Sequence, residues 1–137
     1  MGSEDAPSRD AAPLRTLRWV QQSVLATLAI CAVGISVAAE SGDLGHTDRR
    51  FTVAALALGM TSILARRQAL LSRDPGVRLW LAAGSLLLAE AVGLLGTALA
   101  FMQGEREAGL LYVLGGALLA LRAPAAARIA ARDRDGA

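Results

Sequence analysis

The sequence predicts an all-α membrane protein, a polytopic transmembrane bundle of four antiparallel helices joined by short links. Three observations predict this fold class. Hydrophobic residues make up 54% of the 137 residues, which is too apolar for a water-soluble domain of this size. These residues fall into four long runs, and nearly all charged residues lie outside the runs. All fourteen basic residues are arginine, and they are divided unequally between alternate links.

Each apolar run is interpreted as one membrane span. The first is close to the ~20 residues that cross a bilayer, and the second is shorter but bracketed by arginine pairs whose side chains reach the interface. The predicted spans are residues 19–39, 51–65, 79–102 and 108–127. They form a membrane domain over residues 18–131, between a disordered cytoplasmic tail at 1–17 and a short one at 132–137. Because the links are short, consecutive helices are expected to be antiparallel neighbours.

The distribution of arginines predicts the orientation. The N-terminal segment has three arginines, the link between the second and third spans four, and the C-terminal end four, whereas the two remaining links together hold three. Arginine-rich segments stay in the cytoplasm, so both termini are predicted to be cytoplasmic, in a bacterial inner membrane. The segment "SVAAE", Ser36 to Glu40, is similar to a signal-peptide cleavage site, but the apolar run before it is longer than the usual 7 to 15 residues. A retained first span is therefore favoured over a cleaved one.

Small residues predict how the helices associate. Lipid is as apolar as leucine, so helices in a bilayer associate through close backbone packing and polar contacts. In the third span Ser85, Ala89, Gly93 and Thr97 recur every four residues. The residues predicted to pack helix against helix are Ala89, Gly93, Gly116, Gly34 and Gly59.

Glu90 is the principal candidate for a functional residue. It lies eleven residues beyond Leu79, or about 16 Å along a helix, which is near the middle of a bilayer about 30 Å thick. Protonation, a cation partner or a water-filled cavity would each satisfy a carboxylate at that depth. Arg122 is the predicted cation partner, since its long side chain can reach from the fourth span toward the same depth.

Two segments of the chain resemble three known families of membrane proteins. "LAEAVGLLGTALAF", Leu88 to Phe101, resembles the ion-binding helix of the ATP synthase c subunit, which implies proton translocation at Glu90, although the preceding helix has no glycine repeat. The segment "AEAVG", Ala89 to Gly93, also resembles the helix of the small multidrug-resistance transporters that carries their single embedded Glu. In those transporters this helix is the first, whereas here it is the third. "RTLRW", Arg15 to Trp19, resembles the start of YidH-like membrane proteins. The chain is assigned to none of these families.

The favoured function is that of a small multi-pass integral membrane protein, a scaffold or accessory subunit that packs with itself or with larger membrane proteins. The alternative is proton- or cation-coupled translocation, with Glu90 as the protonatable site and Thr97 and Ser85 as its neighbours. No catalytic set or nucleotide-binding loop is present, so we expect no enzyme activity and no cofactor. One Cys and one His predict no metal site, and arginines that are not gathered on one basic face predict no nucleic-acid partner.

Overall fold

The computed structural model describes residues 11–38 and 49–122, which form four α-helices and no strand. The helices are α1 (Ala11–Ala38), α2 (Arg49–Leu71), α3 (Pro75–Gln103) and α4 (Arg106–Leu121). The predicted all-α class is confirmed for these residues.

Two of the four helices are long and apolar enough to cross a membrane, α3 over its full length and α1 from Arg15 onward. The apolar run of α2 is shorter because arginine pairs bracket residues 51–65, and the described part of α4 has only 16 residues. Four spans therefore remain a prediction.

The boundaries of α1 and α4 differ from the predicted spans. Helix α1 begins at Ala11, so residues 11–17 are helical and not part of a disordered tail. Alanine, leucine and arginine favour helix, and a proline in the first turn removes no intrahelical hydrogen bond. The last part of the predicted fourth span, residues 123–127, lies outside the described residues, as do the first ten residues of the predicted tail at 1–17 and the whole predicted tail at 132–137.

A tight turn joins α2 to α3. Asp74 is the N-cap of α3, where its Oδ1 accepts hydrogen bonds from the backbone N–H groups of Gly76 (2.8 Å) and Val77 (3.4 Å). The buried Arg78 donates from Nη2 to the carbonyl of Ser72 at 2.8 Å, just beyond the end of α2. At the other end of α3, Gly104 adopts a φ of 70°, a left-handed conformation that favours glycine.

Helix α3 is the centre of the bundle and packs against the other three helices. Its most extensive contact is with α4, followed by α2 and α1, whereas α1 and α2 barely touch. Helices α2 and α3 are therefore neighbours, and so are α3 and α4. Helices α1 and α2 are not neighbours, contrary to the prediction from the short links. The reason is that α1 occupies the opposite side of the α3–α4 pair, where it packs on both of those helices.

The helices alternate in direction along the chain. The hydroxyl of Ser62 in α2 donates a hydrogen bond to the carbonyl of Ser85 in α3. The side-chain amide of Gln21, near the start of α1, donates to the carbonyl of Ala120, near the end of α4. The beginning of α1, the link between α2 and α3 and the end of α4 consequently lie at one end of the bundle. We call this the arginine-rich end, after Arg18, Arg66 and Arg122.

The interior is built largely from small side chains, and much of the outside from large apolar ones. Ser62 and Ser85 are completely buried, together with several alanines and leucines. Val37 of α1, Trp80 of α3 and Met102 of α3 are 82%, 80% and 79% exposed, and α2 and α4 expose further large apolar side chains.

Candidate functional site

Glu90 lies half-buried on the flank of α3. Gly93, one turn further along, forms a notch filled by Leu28 of α1, since a Cβ placed at Gly93 would lie 2.1 Å from Leu28 Cδ2. On the other side of Glu90 the surface of α3 is apolar and open, with Leu87 59% exposed and Leu94 47% exposed. The carboxylate thus stands at the outer edge of the α1–α3 contact.

No partner satisfies this carboxylate within the described residues. Neither a hydrogen bond nor an ion pair reaches Glu90 from residues 11–38 or 49–122. An acid in this position is accessible from the open flank of α3, and it is the one acidic side chain in the middle of a described helix.

The structure does not bring Ser85 and Thr97 together with Glu90 as a polar site. Ser85 is fully buried against α2, its hydroxyl donating to the carbonyl of Ala82 at 2.7 Å. Five residues separate it from Glu90, which places the two about 140° apart around the helix axis. Thr97 shares the Glu90 side of α3, but its hydroxyl donates to the carbonyl of Gly93 at 3.1 Å.

Arg122, the predicted partner of Glu90, lies at the arginine-rich end. It is the C-cap residue of α4, its side chain is exposed, and its backbone N–H donates to the carbonyl of Leu118 at 3.1 Å. No described contact joins Arg122 to Glu90, so the ion pair stays a prediction.

Two side chains from other helices bind the last carbonyls of α4. Arg66 of α2 donates from Nη2 to the carbonyl of Leu119, and Gln21 of α1 donates from Nε2 to the carbonyl of Ala120 at 3.0 Å. The last carbonyls of a helix lack partners within it and carry partial negative charge, which makes them good acceptors for a guanidinium and an amide. Gln21 and Arg66 therefore join three helices at this end of the bundle.

The electrostatics of this cluster are unfavourable for Arg66. Its side chain lies just beyond the predicted second span, and partial burial together with the positive charge of Arg122 lowers the pKa of the Arg66 guanidinium. Its Nε is buried without a hydrogen-bond partner. Arg66 is thus a cation held beside another cation, with one donor unused.

Glycines bring the backbones of α3 and α4 into direct contact. A Cβ at Gly96 would lie 2.6 Å from the carbonyl oxygen of Gly109, and a Cβ at Gly116 would lie 2.6 Å from that of Ala89. Such distances leave no room for a side chain, so the two backbones are in direct contact at two levels.

The other predicted packing residues have less demanding surroundings. A Cβ at Gly59 would meet only Leu119 Cδ1, at 3.7 Å, and one at Gly34 would meet no atom within 4 Å. The surface of α3 that contacts the other helices contains Ala89, Gly93, Gly96 and Ala100. Gly96 is not part of the series predicted from a spacing of four residues.

Sequence reasoning missed Gly96 and Gly109 in the α3–α4 contact and the role of Arg66. A spacing that alternates between three and four residues, the period of a packed helix face, would have selected Gly96 after Gly93. In the sequence, Arg66 is one of the arginines that flank a predicted span, and no local pattern marks a carbonyl on another helix as its acceptor.

Known proteins offer no guide to this arrangement. No protein-family model, curated protein or solved structure matches the chain. Within the part of the chain that the structure describes, no group of three His, Cys, Asp or Glu side chains is placed to hold a metal ion.

Proposed function

We propose that this chain is a small multi-pass protein of the bacterial inner membrane that acts as a scaffold or accessory subunit. It crosses the bilayer four times and packs with itself or with larger membrane proteins. The supporting observation is the placement of side chains, with glycine, alanine and buried serine at the helix contacts and large apolar residues on the outside of all four helices. Soluble monomers rarely expose apolar surface on this scale, whereas lipid accepts it and favours small residues between helices.

The direct backbone contact between α3 and α4 supports a scaffold function. Helices that meet through Gly96, Gly109 and Gly116 have little freedom to slide, because each displacement brings backbone atoms into collision. A rigid central pair flanked by α1 and α2 presents constant outer surfaces, as a packing partner requires.

Membrane insertion and orientation are tested together by cysteine labelling. The single native cysteine is replaced by Cys31→Ser, and then Ser41→Cys or Ser72→Cys is introduced in the two opposite links; both are near-isosteric changes. In intact cells, an impermeant maleimide is expected to label position 41 and to reach position 72 only after the membrane is opened. Labelling of position 72 in sealed cells, or release of the chain by alkaline carbonate, would overturn the proposal.

Assembly is tested by measuring the size of the particle in lipid nanodiscs. A scaffold or accessory subunit is expected to form a defined particle larger than the 14.1 kDa chain, either alone or with a co-purified membrane protein in fixed ratio. A monomer in both nanodiscs and mild detergent would contradict the scaffold proposal while leaving membrane insertion intact.

The unpartnered carboxylate of Glu90 favours a second candidate, proton- or cation-coupled translocation. Ionisable residues inside a membrane commonly mark ion pathways, and Glu90 is half-buried on an open flank. In reconstituted vesicles, Glu90→Gln should then abolish ion flux while Glu107→Gln, which changes an exposed acid in the first turn of α4, leaves it intact. Equal flux in both variants would eliminate this candidate.

A further inference from the structure

The open side of α3 carries a regular row of large apolar residues. Helix α3 packs against three other helices, yet less than half of its most apolar stretch is buried inside the chain. The large residues on the open side recur every seven positions and are 47–80% exposed: Trp80, Leu87, Leu94 and Phe101. A strict seven-residue repeat is the pattern with which two helices pack along a shared left-handed seam.

Small and polar residues occupy the alternate positions of this row. Three residues after each of the first three large residues stands one of this second set: Ala83, Glu90 and Thr97. We call the two sets together the α3 seam. All three residues of the second set are partly buried. The hydroxyl of Thr97 donates within α3 to the carbonyl of Gly93, whereas the Glu90 carboxylate has no partner among the described residues and its oxygens are not buried.

Helix α4 also exposes an apolar face with this period, but that face consists of leucine alone. Its residues are 55–65% exposed: Leu111, Leu114, Leu118 and Leu121. Lipid covers such a face fully, because hydrocarbon chains are as apolar as leucine. The α3 seam differs by the carboxyl group of Glu90, to which hydrocarbon offers neither a donor nor an acceptor.

A second copy of this chain can satisfy that carboxyl group. The arginines orient every copy in the same direction, so the α3 helices of two copies approach each other in parallel. Around a two-fold axis, each residue of the α3 seam then lies beside its own counterpart at the same depth. Glu90 therefore meets Glu90 of the second copy. A protonated carboxyl group both donates and accepts hydrogen bonds, so the two groups satisfy each other without burying a charge.

We propose that two copies of this chain form a parallel dimer through the α3 seam, in which the two Glu90 carboxyl groups are hydrogen-bonded to each other. This dimer rests on the proposed membrane location, and it deepens the scaffold proposal by naming the partner and the surface. A larger particle held together by another surface would leave the scaffold proposal intact and overturn the α3 dimer.

The first test is disulfide cross-linking of the full-length chain in native membranes, after the native cysteine is replaced by Cys31→Ser. Leu94→Cys places a thiol in the α3 seam. Leu114→Cys is the matched control, since Leu114 is 62% exposed on α4. The two positions lie at similar depths, because a Cβ at Gly93 would lie 3.7 Å from the Cα of Val113.

Mild oxidation should convert Leu94→Cys to a covalent dimer and leave Leu114→Cys monomeric. A disulfide needs Cα atoms about 4.4–6.8 Å apart, which facing seam positions provide. Trp80→Cys, near the arginine-rich end of α3, should also cross-link, because only a parallel pair brings position 80 beside its counterpart. Equal cross-linking at 94 and 114 would indicate random collision and overturn the dimer. Absence of the link at 94, or a link at 94 without one at 80, would overturn it as well.

The second test measures the contribution of Glu90 with two substitutions of similar length. Dimerisation is followed by energy transfer between donor- and acceptor-labelled chains in vesicles of increasing lipid content. Glu90→Gln keeps a donor and an acceptor and should dimerise within about threefold of the wild type. Glu90→Met keeps only the apolar length and should dimerise about three- to twentyfold more weakly than Glu90→Gln. Dimerisation of Glu90→Met as tight as that of Glu90→Gln would contradict the carboxyl pair, and a monomeric wild type would overturn the dimer itself.

Discussion

Replacing Gly116 by alanine should disrupt the central helix pair, whereas the same change at Gly115 should not. A Cβ at Gly116 would lie 2.6 Å from the carbonyl oxygen of Ala89, 3.0 Å from the backbone nitrogen of Gly93 and 3.3 Å from its Cα. All three are backbone atoms of α3, which cannot rotate away. A Cβ at Gly115 would meet no atom within 4 Å.

The expected cost follows from these distances. Moving the carbonyl from 2.6 Å to the shortest tolerable separation of 3.0 Å displaces α3 from α4 by at least about 0.4 Å and loosens the contact at Gly96 and Gly109. Overpacking of this kind costs about 1–3 kcal/mol. Alanine returns up to about 1 kcal/mol of helix propensity at either position. Gly115→Ala should therefore be neutral or stabilising, and Gly116→Ala should be less stable than Gly115→Ala by about 1–3 kcal/mol.

The assay is reversible unfolding in mixed micelles, monitored by far-ultraviolet circular dichroism for wild type and both variants. The comparison between adjacent glycines removes helix propensity from the result, because both variants gain the same methyl group on the same helix. If the free energy of unfolding of Gly116→Ala equals or exceeds that of Gly115→Ala, the direct backbone contact of α3 with α4 is refuted.

Three further predictions concern other parts of the bundle. Ser62→Ala should lower the free energy of unfolding by about 0.6–1 kcal/mol, because it removes a buried 2.8 Å hydrogen bond to the carbonyl of Ser85. Thr61→Ala, whose hydroxyl bonds only within α2, is the control, and equal losses would contradict the assigned contact. Asp74→Ala should cost about 1 kcal/mol in the same assay through loss of the α3 N-cap, and Asp74→Asn should retain most of it; a full loss in both would point to charge instead. For the translocation candidate, dicyclohexylcarbodiimide should label Glu90 in native membranes, as measured by mass spectrometry, and no labelling at any pH where the fold survives would count against it.

The predicted site and the structural arrangement diverge for identifiable reasons. Glu90 stands out in the sequence because one charge interrupts a long apolar run, a local feature that needs no fold to be recognised. Which side chains lie near Glu90 depends on the fold. Ser85 is close in sequence but faces α2, since five residues turn a helix through about 140°, and the position of Arg122 depends on how α4 is held by Gln21 and Arg66.

Sequence alone was sufficient for the helical class of the described residues, since composition and run length determine whether a segment can be helical and apolar. The start of α1 was less predictable, because the helix begins at Ala11, eight residues before the apolar run that begins at Trp19. Only the tertiary structure decided that α3 is the central helix, that α1 and α2 lie on opposite sides of the α3–α4 pair, and that Arg66 binds the end of α4. These features arise from contacts between residues far apart in the chain, such as Arg66 with Leu119 and Gly96 with Gly109, and no local pattern of residues specifies which distant backbone a side chain will meet.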